Sequence, residues 1–294
     1  MVWELVLLAV LFAASLKNGI FIGIGKRGPV FLPLDRHVII TGPTRSGKTS
    51  LAKKIIKRAR LPALVLDWHG EYGGLRVDAR LLKISLENFD KKLLAEILGL
   101  ALNLNEPSVY FLYRAIRQRR LAALRDIVAA LEDFLVTTRS EVEMKAAIAR
   151  RLEYILDVFE GGRIPLEKLF TTKKTVAVDL SRLRLYEEKV LIALFVLASL
   201  YNHLFEKGVA KRPERLLVVD EAQNIMKRGD VVRYLVFESA KYGLRVVLVS
   251  NEMPPQDLLV HGTHIITQPH YTYNLKGKRS AVLRNNEVEE LWTM

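Results

Sequence analysis

Six short apolar runs punctuate the chain: HVIIT, ALVLD, TVAVDL, LLVVD, LRVVLVSN and HIITQ. Their apolar cores are continuous rather than alternating, as in strands buried on both faces. Between them the apolar spacing becomes helical. TSLAKKIIKRAR (49–60) predicts a helix ended by Leu61-Pro62, and EEKVLIALFVLASLYNHLFEKG (187–208) predicts a long one. A further helix is expected through Tyr234 to Tyr242. From about Leu93 to Phe159 the pattern stays helical, with few breakers other than Pro107, until Gly161-Gly162 closes it. LLAEILGLALNL, SVYFLYRAIRQRRLAALRDIVAALEDFL and EVEMKAAIARRLEYILDVF fall in this block. Strands alternating with helices predict an α/β fold with a mostly parallel central sheet, and the block at about 93–162 reads as a helical insertion after the second strand. Apolar residues alternating around Gly25 to Gly28 predict a hairpin leading into HVIIT.

The first eighteen residues, MVWELVLLAVLFAASLKN, stand apart as an apolar N-terminal helix. Twelve uncharged residues lie between Glu4 and Lys17. As a helix they span about 18 Å, against a hydrocarbon core of roughly 30 Å. Two readings stay open: an anchor at the inner face of the cell membrane through residues 1–16, or a helix packed on protein. Lys17, Lys26, Arg27 and Arg36 would keep the remainder, residues 19–294, on the cytoplasmic side.

Half of the 294 residues are apolar, enough for a sizeable core. The net charge of +13 favours an anionic partner, such as nucleic acid or an acidic membrane surface. The absence of cysteine excludes disulfides and thiolate metal sites. No cysteine and 26% charged residues lean towards a thermophile.

The stretch GPTRSGKT has the spacing G-x-x-x-x-G-K-[ST], and it follows a strand and opens a helix, as a phosphate loop requires. Gly42, Pro43, Thr44, Arg45, Ser46, Gly47, Lys48, Thr49 and Ser50 would wrap a nucleotide. Backbone N–H groups and the helix N-terminus suit the phosphates. Lys48 would reach the β- and γ-phosphates and the Thr49 hydroxyl would take Mg²⁺. Arg45 reads either as a phosphate or neighbour contact or as a solvated loop cation.

Three strands then end in an acid: Asp67, Asp179 and Asp220. Hydrolysis needs a base beside the metal acid, and only LLVVDE supplies an Asp-Glu pair. Asp220 is therefore assigned to Mg²⁺ and Glu221 to the attacking water. An acid pair so far along the chain implies strands between it and the phosphate loop, the layout of motor ATPases. Asn251, at the end of LRVVLVSN, could sense the γ-phosphate or simply turn the chain.

The order GPTRSGKT, LVLDWHGEY, AVDLS, LLVVDEAQN, AKYGLRVVLVSN and HIITQ resembles the HerA branch of the HerA/FtsK superfamily, over about Gly19 to Thr267. The resemblance implies a RecA-like (ASCE) P-loop NTPase using ATP and Mg²⁺. It also implies an archaeal-type DNA translocase working as a homo-oligomer, a hexamer, on double-stranded DNA, with a nuclease or a membrane channel as partner. Relatives act in conjugation, DNA import and viral genome packaging. The DWHGEY stretch matches the family's D-x-H-G-E-Y pattern, which implies that Asp67, His69 and Glu71 belong to the nucleotide face. Two departures stand out. Asn251-Glu252-Met253-Pro254 replaces the family's Gln-Arg-Pro, and Ser239-Ala240-Lys241 replaces Gly-Arg-Lys. Lys241 and Arg245 are the remaining candidates for a cation acting on a neighbour's ATP. The family's N-terminal barrel is missing or reduced to the hairpin near Gly19 to Pro33.

Basic residues cluster twice, at Arg114, Arg117, Arg119, Arg120 and Arg125 and at Lys276, Lys278, Arg279 and Arg284. Acidic neighbours nearly balance the first cluster. A DNA-translocating ATPase ring is the leading expectation. A packaging ATPase and an ATP-dependent assembly scaffold are its rivals.

Overall fold

A computed structural model describes residues 19–25, 28–87, 89–226, 230–267, 280–284 and 287–293, with Val6 and Val10 before them. The expected anchor apart from Val6 and Val10, the hairpin's tip at Lys26 and Arg27, and the basic cluster at Lys276, Lys278 and Arg279 lie outside the described residues, as does the side chain of Arg284.

Seven parallel strands form the centre of the molecule. They are β3 (His37–Thr41), β4 (Ala63–Asp67), β5 (Leu75–Asp78), β8 (Val176–Asp179), β9 (Arg215–Val219), β10 (Leu244–Ser250) and β11 (Gly262–Thr267). Two further strands, β6 (Leu82–Lys83) and β7 (Ile164–Pro165), pair only with each other. Four antiparallel strands extend one flank: β1 (Ile20–Gly25), β2 (Gly28–Leu32), β12 (Ser280–Arg284) and β13 (Glu287–Thr293). The order across the sheet is β2-β1-β13-β12-β11-β3-β10-β9-β4-β8-β5. Strand β10 thus separates the phosphate-loop strand β3 from β9, which carries the acid pair. Every residue of β3, β4, β8 and β9 is buried, which is why these strands read as unbroken apolar runs.

The carboxyl ends of these strands converge. Thr41 pairs with Ser250, and Asp67 pairs with Asp179. The Asp220 N–H donates to the Leu66 carbonyl at 3.1 Å. Candidate residues far apart in sequence are thereby brought to one edge, where open α/β sheets bind their ligands.

Helix α1 (Lys48–Ala59) follows the phosphate loop and packs its Leu51, Ala52 and Ile55 onto the sheet. The helical block resolves into α2 (Lys91–Ala101), α3 (Glu106–Ile116), α4 (Leu124–Asp133) and α5 (Arg139–Glu160). Sequence periodicity alone ran α3 and α4 together. They are broken because Leu121 is buried and the Ala122 carbonyl accepts from Leu86 N–H, which pulls the chain out of the helix. A short α6 (Leu166–Thr171) leads to β8, and α7 (Tyr186–Lys207) follows it. Among the described residues, α7 alone has the length and apolarity of a membrane span. Two thirds of its apolar window is buried in this protein, as for a core helix. Leu94, Phe111, Ile127 and Ile148 of the insertion share one continuous core with Leu64, Val176 and Phe195. The acid pair is followed by α8 (Gln223–Met226), then α9 (Asp230–Ser239) and, after β10, α10 (Gln256–His261).

Strands β5, β12 and β13 were not anticipated from sequence. The run LRVD is only four residues long and half polar. The last two strands carry charged residues on strands that pair antiparallel at the flank of the sheet, where burial on both faces is not required.

Candidate nucleotide site

The phosphate loop begins where β3 ends. Gly42 has φ +151°, and a Cβ there would fall 2.2 Å from Thr267 Oγ1 and 2.5 Å from the Thr267 carbonyl oxygen. Glycine is therefore required at this position for close approach to β11. Ser46 Oγ and Thr267 Oγ1 are hydrogen-bonded, and Thr267 Oγ1 donates to the Thr41 carbonyl at 3.1 Å. Beneath the loop, Thr41 Oγ1 and His264 Nε2 lie 2.6 Å apart, and burial pushes His264 down to about 4. The loop is thus tied to β11 at its base.

Lys48 is buried, and its Nζ donates to the carbonyls of Gly42 at 2.9 Å and Pro43 at 2.8 Å. Burial lowers its pKa, while the charges of Glu221 and Asp220 act in the opposite sense. Pro43, Thr44, Arg45 and Ser50 are exposed and Thr49 is half-buried at the start of α1. Arg45 adopts a left-handed conformation, φ 65°, with its side chain in solvent.

The three strand-end acids have different surroundings. Asp67 is fully buried, and its carboxylate accepts from the backbone N–H groups of Gly70, Glu71 and Tyr72 at 2.8, 3.0 and 2.8 Å. It shapes the turn that carries His69 and Glu71. Asp179 accepts from Arg76 Nη2 at 2.8 Å and from both Ser181 N–H and Oγ–H, at 3.0 and 2.6 Å. Asp220 is 3% exposed and has no side-chain donor among the described residues. Burial, reinforced first by the Glu221 charge, raises its pKa to about 7. A buried carboxylate with free lone pairs is the group of the three best suited to an incoming cation.

Glu221 sits in a left-handed conformation, φ 49°, a strained backbone state for a residue other than glycine. Three side chains hold it. Asn251 Nδ2 donates to both carboxylate oxygens at 3.2 and 2.9 Å. His69 Nε2 lies 3.3 Å from Oε1. Gln223 Nε2 also donates to Oε2. Gln223 went unremarked in the sequence, although its place in DEAQN, two residues past Glu221, was the available signal. Glu71 is exposed on the same turn as His69.

Lys241 and Arg245 lie at the opposite end of β10. Lys241 is exposed and pairs with Glu238 at 2.7 Å. Arg245 is half-buried, and donates from Nε to the Leu34 carbonyl and from Nη1 to the carbonyls of Ala240 and Leu244. In the insertion, Arg114 pairs with Glu141 and Arg119 with Asp133, which answers much of that basic cluster locally.

A glycine-rich loop, a buried lysine bonded to loop carbonyls, and an open buried carboxylate opposite them fit a nucleotide with its magnesium ion. Together with the seven-stranded parallel sheet they define a RecA-like P-loop NTPase. The family model "Helicase HerA, central domain" matches residues 29–200. The chain belongs to that family and is a P-loop ATPase. Among curated proteins none matches the sequence. The structure is similar to VirB4 of Thermoanaerobacter pseudethanolicus, with TM-score 0.69, 14% identity, and coverage of 94% of this chain and 96% of that one. It is also similar to the bacterial conjugative coupling protein TrwB lacking its first 70 residues, with TM-score 0.65, 9% identity and coverage of 94% and 89%. TrwB solved with ADP and Mg²⁺ matches at TM-score 0.59 and 13% identity, covering 87% and 78%.

Proposed function

We propose that this protein is an ATP-driven motor that moves double-stranded DNA, working as a ring of identical subunits and held at the cytoplasmic face of a membrane through residues 1–16. The observation that carries the proposal is the grip of Asn251, His69 and Gln223 on Glu221, beside Asp220 and within electrostatic reach of Lys48. A glutamate serving only as a helix cap would need no such cage. Membership of the HerA helicase family and the likeness to conjugation proteins support DNA as the cargo.

In this reading Lys48 leaves the Gly42 and Pro43 carbonyls for the β- and γ-phosphate oxygens. Thr49 and Asp220 would hold the magnesium ion, which would supply positive charge to the phosphates. Glu221 orients a water and takes its proton, and Asn251 sets where the carboxylate points. Asp67 keeps His69 in place by clamping the turn. Lys241, exposed at the other end of β10, is the better candidate of the two basic residues to reach a neighbouring subunit, because Arg245 is engaged by three carbonyls of its own chain.

The test is the ATPase rate with and without long duplex DNA over a range of salt. Stimulation is expected at low salt, falling steeply as salt rises, because phosphate contacts release counterions. A rate indifferent to DNA in assembled protein would favour an ATP-dependent scaffold instead.

A further inference from the structure

The hydroxyl of Tyr72 has no role in the site described above, and it is conspicuous chemically. Tyr72 is 2% exposed, and its Oη has no hydrogen-bond partner among the described residues. Buried hydroxyls without partners are uncommon, because desolvating a polar group with nothing in return is costly. The residue is also held firmly. Its backbone N–H is clamped by Asp67 Oδ2 at 2.8 Å. Its ring packs in the cluster formed by Leu51, Ala52 and Ile55 of α1, Val65 of β4 and Val218 of β9. Lys53 Nζ lies over the ring, 5.5 Å from its centroid. The side chain is therefore wedged between the phosphate-loop helix and the strand that ends in Asp220. Burial and then the charge of Asp220 act most strongly on the phenol, ahead of Asp67, Glu71 and Glu221.

On one side stands a buried donor without an acceptor, and on the other a buried carboxylate without a donor. We propose that Tyr72 is a positioning residue for the metal site: when Mg²⁺ and nucleotide bind, its O–H donates to the oxygen shell organised by Asp220 and fixes the orientation of that carboxylate. The inference rests on the assignment of Asp220 to magnesium. It gives the DWHGEY stretch a division of labour. Asp67 shapes the turn, His69 touches the hydrolytic glutamate, and Tyr72 serves the metal acid. The tyrosine would act through Asp220, with no contact to the reacting phosphate.

The experiment is a titration of Mn²⁺, a paramagnetic stand-in read by electron paramagnetic resonance, into full-length protein holding a non-hydrolysable ATP analogue. Three proteins are compared: the parent, Tyr72→Phe and Asp220→Asn. Tyr72→Phe keeps the ring and its packing and removes only an unpaired buried hydroxyl, so the melting temperature should hold or rise. Loss of an outer partner is expected to weaken Mn²⁺ about 10-fold or more, while metal-free nucleotide affinity stays within about twofold. Unchanged Mn²⁺ affinity in Tyr72→Phe, with a loss in Asp220→Asn, overturns the tyrosine's role and leaves the site reading intact. If Asp220→Asn also binds Mn²⁺ normally, the metal assignment itself fails and the inference falls with it. Equal weakening of nucleotide with and without metal would mark Tyr72 as a packing residue only.

Discussion

Asn251 donates its amide N–H groups to both oxygens of the Glu221 carboxylate, at 3.2 and 2.9 Å. The two residues end neighbouring strands, and the Ala222 N–H donating to the Val249 carbonyl at 2.8 Å keeps those strand ends together. A residue expected to read the phosphate thus also touches the residue expected to activate water.

Glu221→Gln should leave ATP binding nearly intact and lower turnover about 100-fold or more, as for loss of a general base. Asn251→Ala and His69→Ala should lower turnover about 10-fold with little change in nucleotide affinity, since they misdirect the base without removing it. Steady-state rates paired with equilibrium nucleotide binding would check this. A full rate in Asn251→Ala would show that the amide contact has no part in turnover.

The acids should separate into structural and functional groups. Asp67→Asn places an amide against N–H groups that now meet a carboxylate, and should cost about 1–3 kcal/mol of stability while keeping magnesium dependence. Asp220→Asn should keep or raise stability near neutral pH and abolish that dependence. Thermal melts combined with magnesium titrations of the ATPase give both readings. The reverse pattern would reassign the metal acid.

His264 should make the fold acid-sensitive. Its pKa is depressed to about 4 by burial, against an ordinary value of 6.5. Between these values the unfolded chain binds a proton that the folded protein does not. Stability from this residue is complete above pH 6.5 and is lost as pH falls towards 4, by about 3 kcal/mol. Asp220, raised to about 7, acts in the opposite sense over the same range, so the slope is read as the difference between parent and His264→Asn in denaturant melts at pH 7.5 and pH 4.5.

Arg245→Ala should lower the melting temperature, because three backbone carbonyls lose their donor. Lys241→Ala should leave melting unchanged and lower turnover only in assembled protein. Unchanged rates in the assembled lysine variant would remove it as a residue acting across subunits.

Residues 1–16 should carry membrane attachment that survives high salt, because burial of apolar side chains is not screened. Attraction of a basic surface to anionic lipid is screened within about 8 Å. Release of the full chain from membranes by salt alone would exclude an anchor, leaving a helix packed on protein.

Much of this was legible in the sequence because buried parallel strands and phosphate loops leave local signatures. The runs at β3, β4, β8, β9 and β10 and the loop GPTRSGKT are contiguous, so periodicity and spacing find them. The choice of Asp220 over Asp67 and Asp179 rested on one adjacent glutamate, and the sequence could not show that the three acids differ in hydrogen bonding. What stayed hidden depends on residues distant in sequence. The bond between Ser46 and Thr267, the caging of Glu221 by His69, Gln223 and Asn251, and the orphan hydroxyl of Tyr72 exist only once the strands align. The match to the HerA family stops at residue 200, short of the acid pair, so these contacts carry the argument there.

Strand β1 takes one neighbour, β2, from the next few residues and the other, β13, from nearly the whole chain's length away, with Gly23 opposite Thr293. During synthesis the hairpin of β1 and β2 emerges first, and its second edge must wait until the last strand leaves the ribosome. For that interval the nascent protein presents an open strand edge, where pairing with another chain competes with completion of its own sheet. Crowded polysomes, in which several unfinished copies lie side by side, are where mispaired assemblies of this protein should first form.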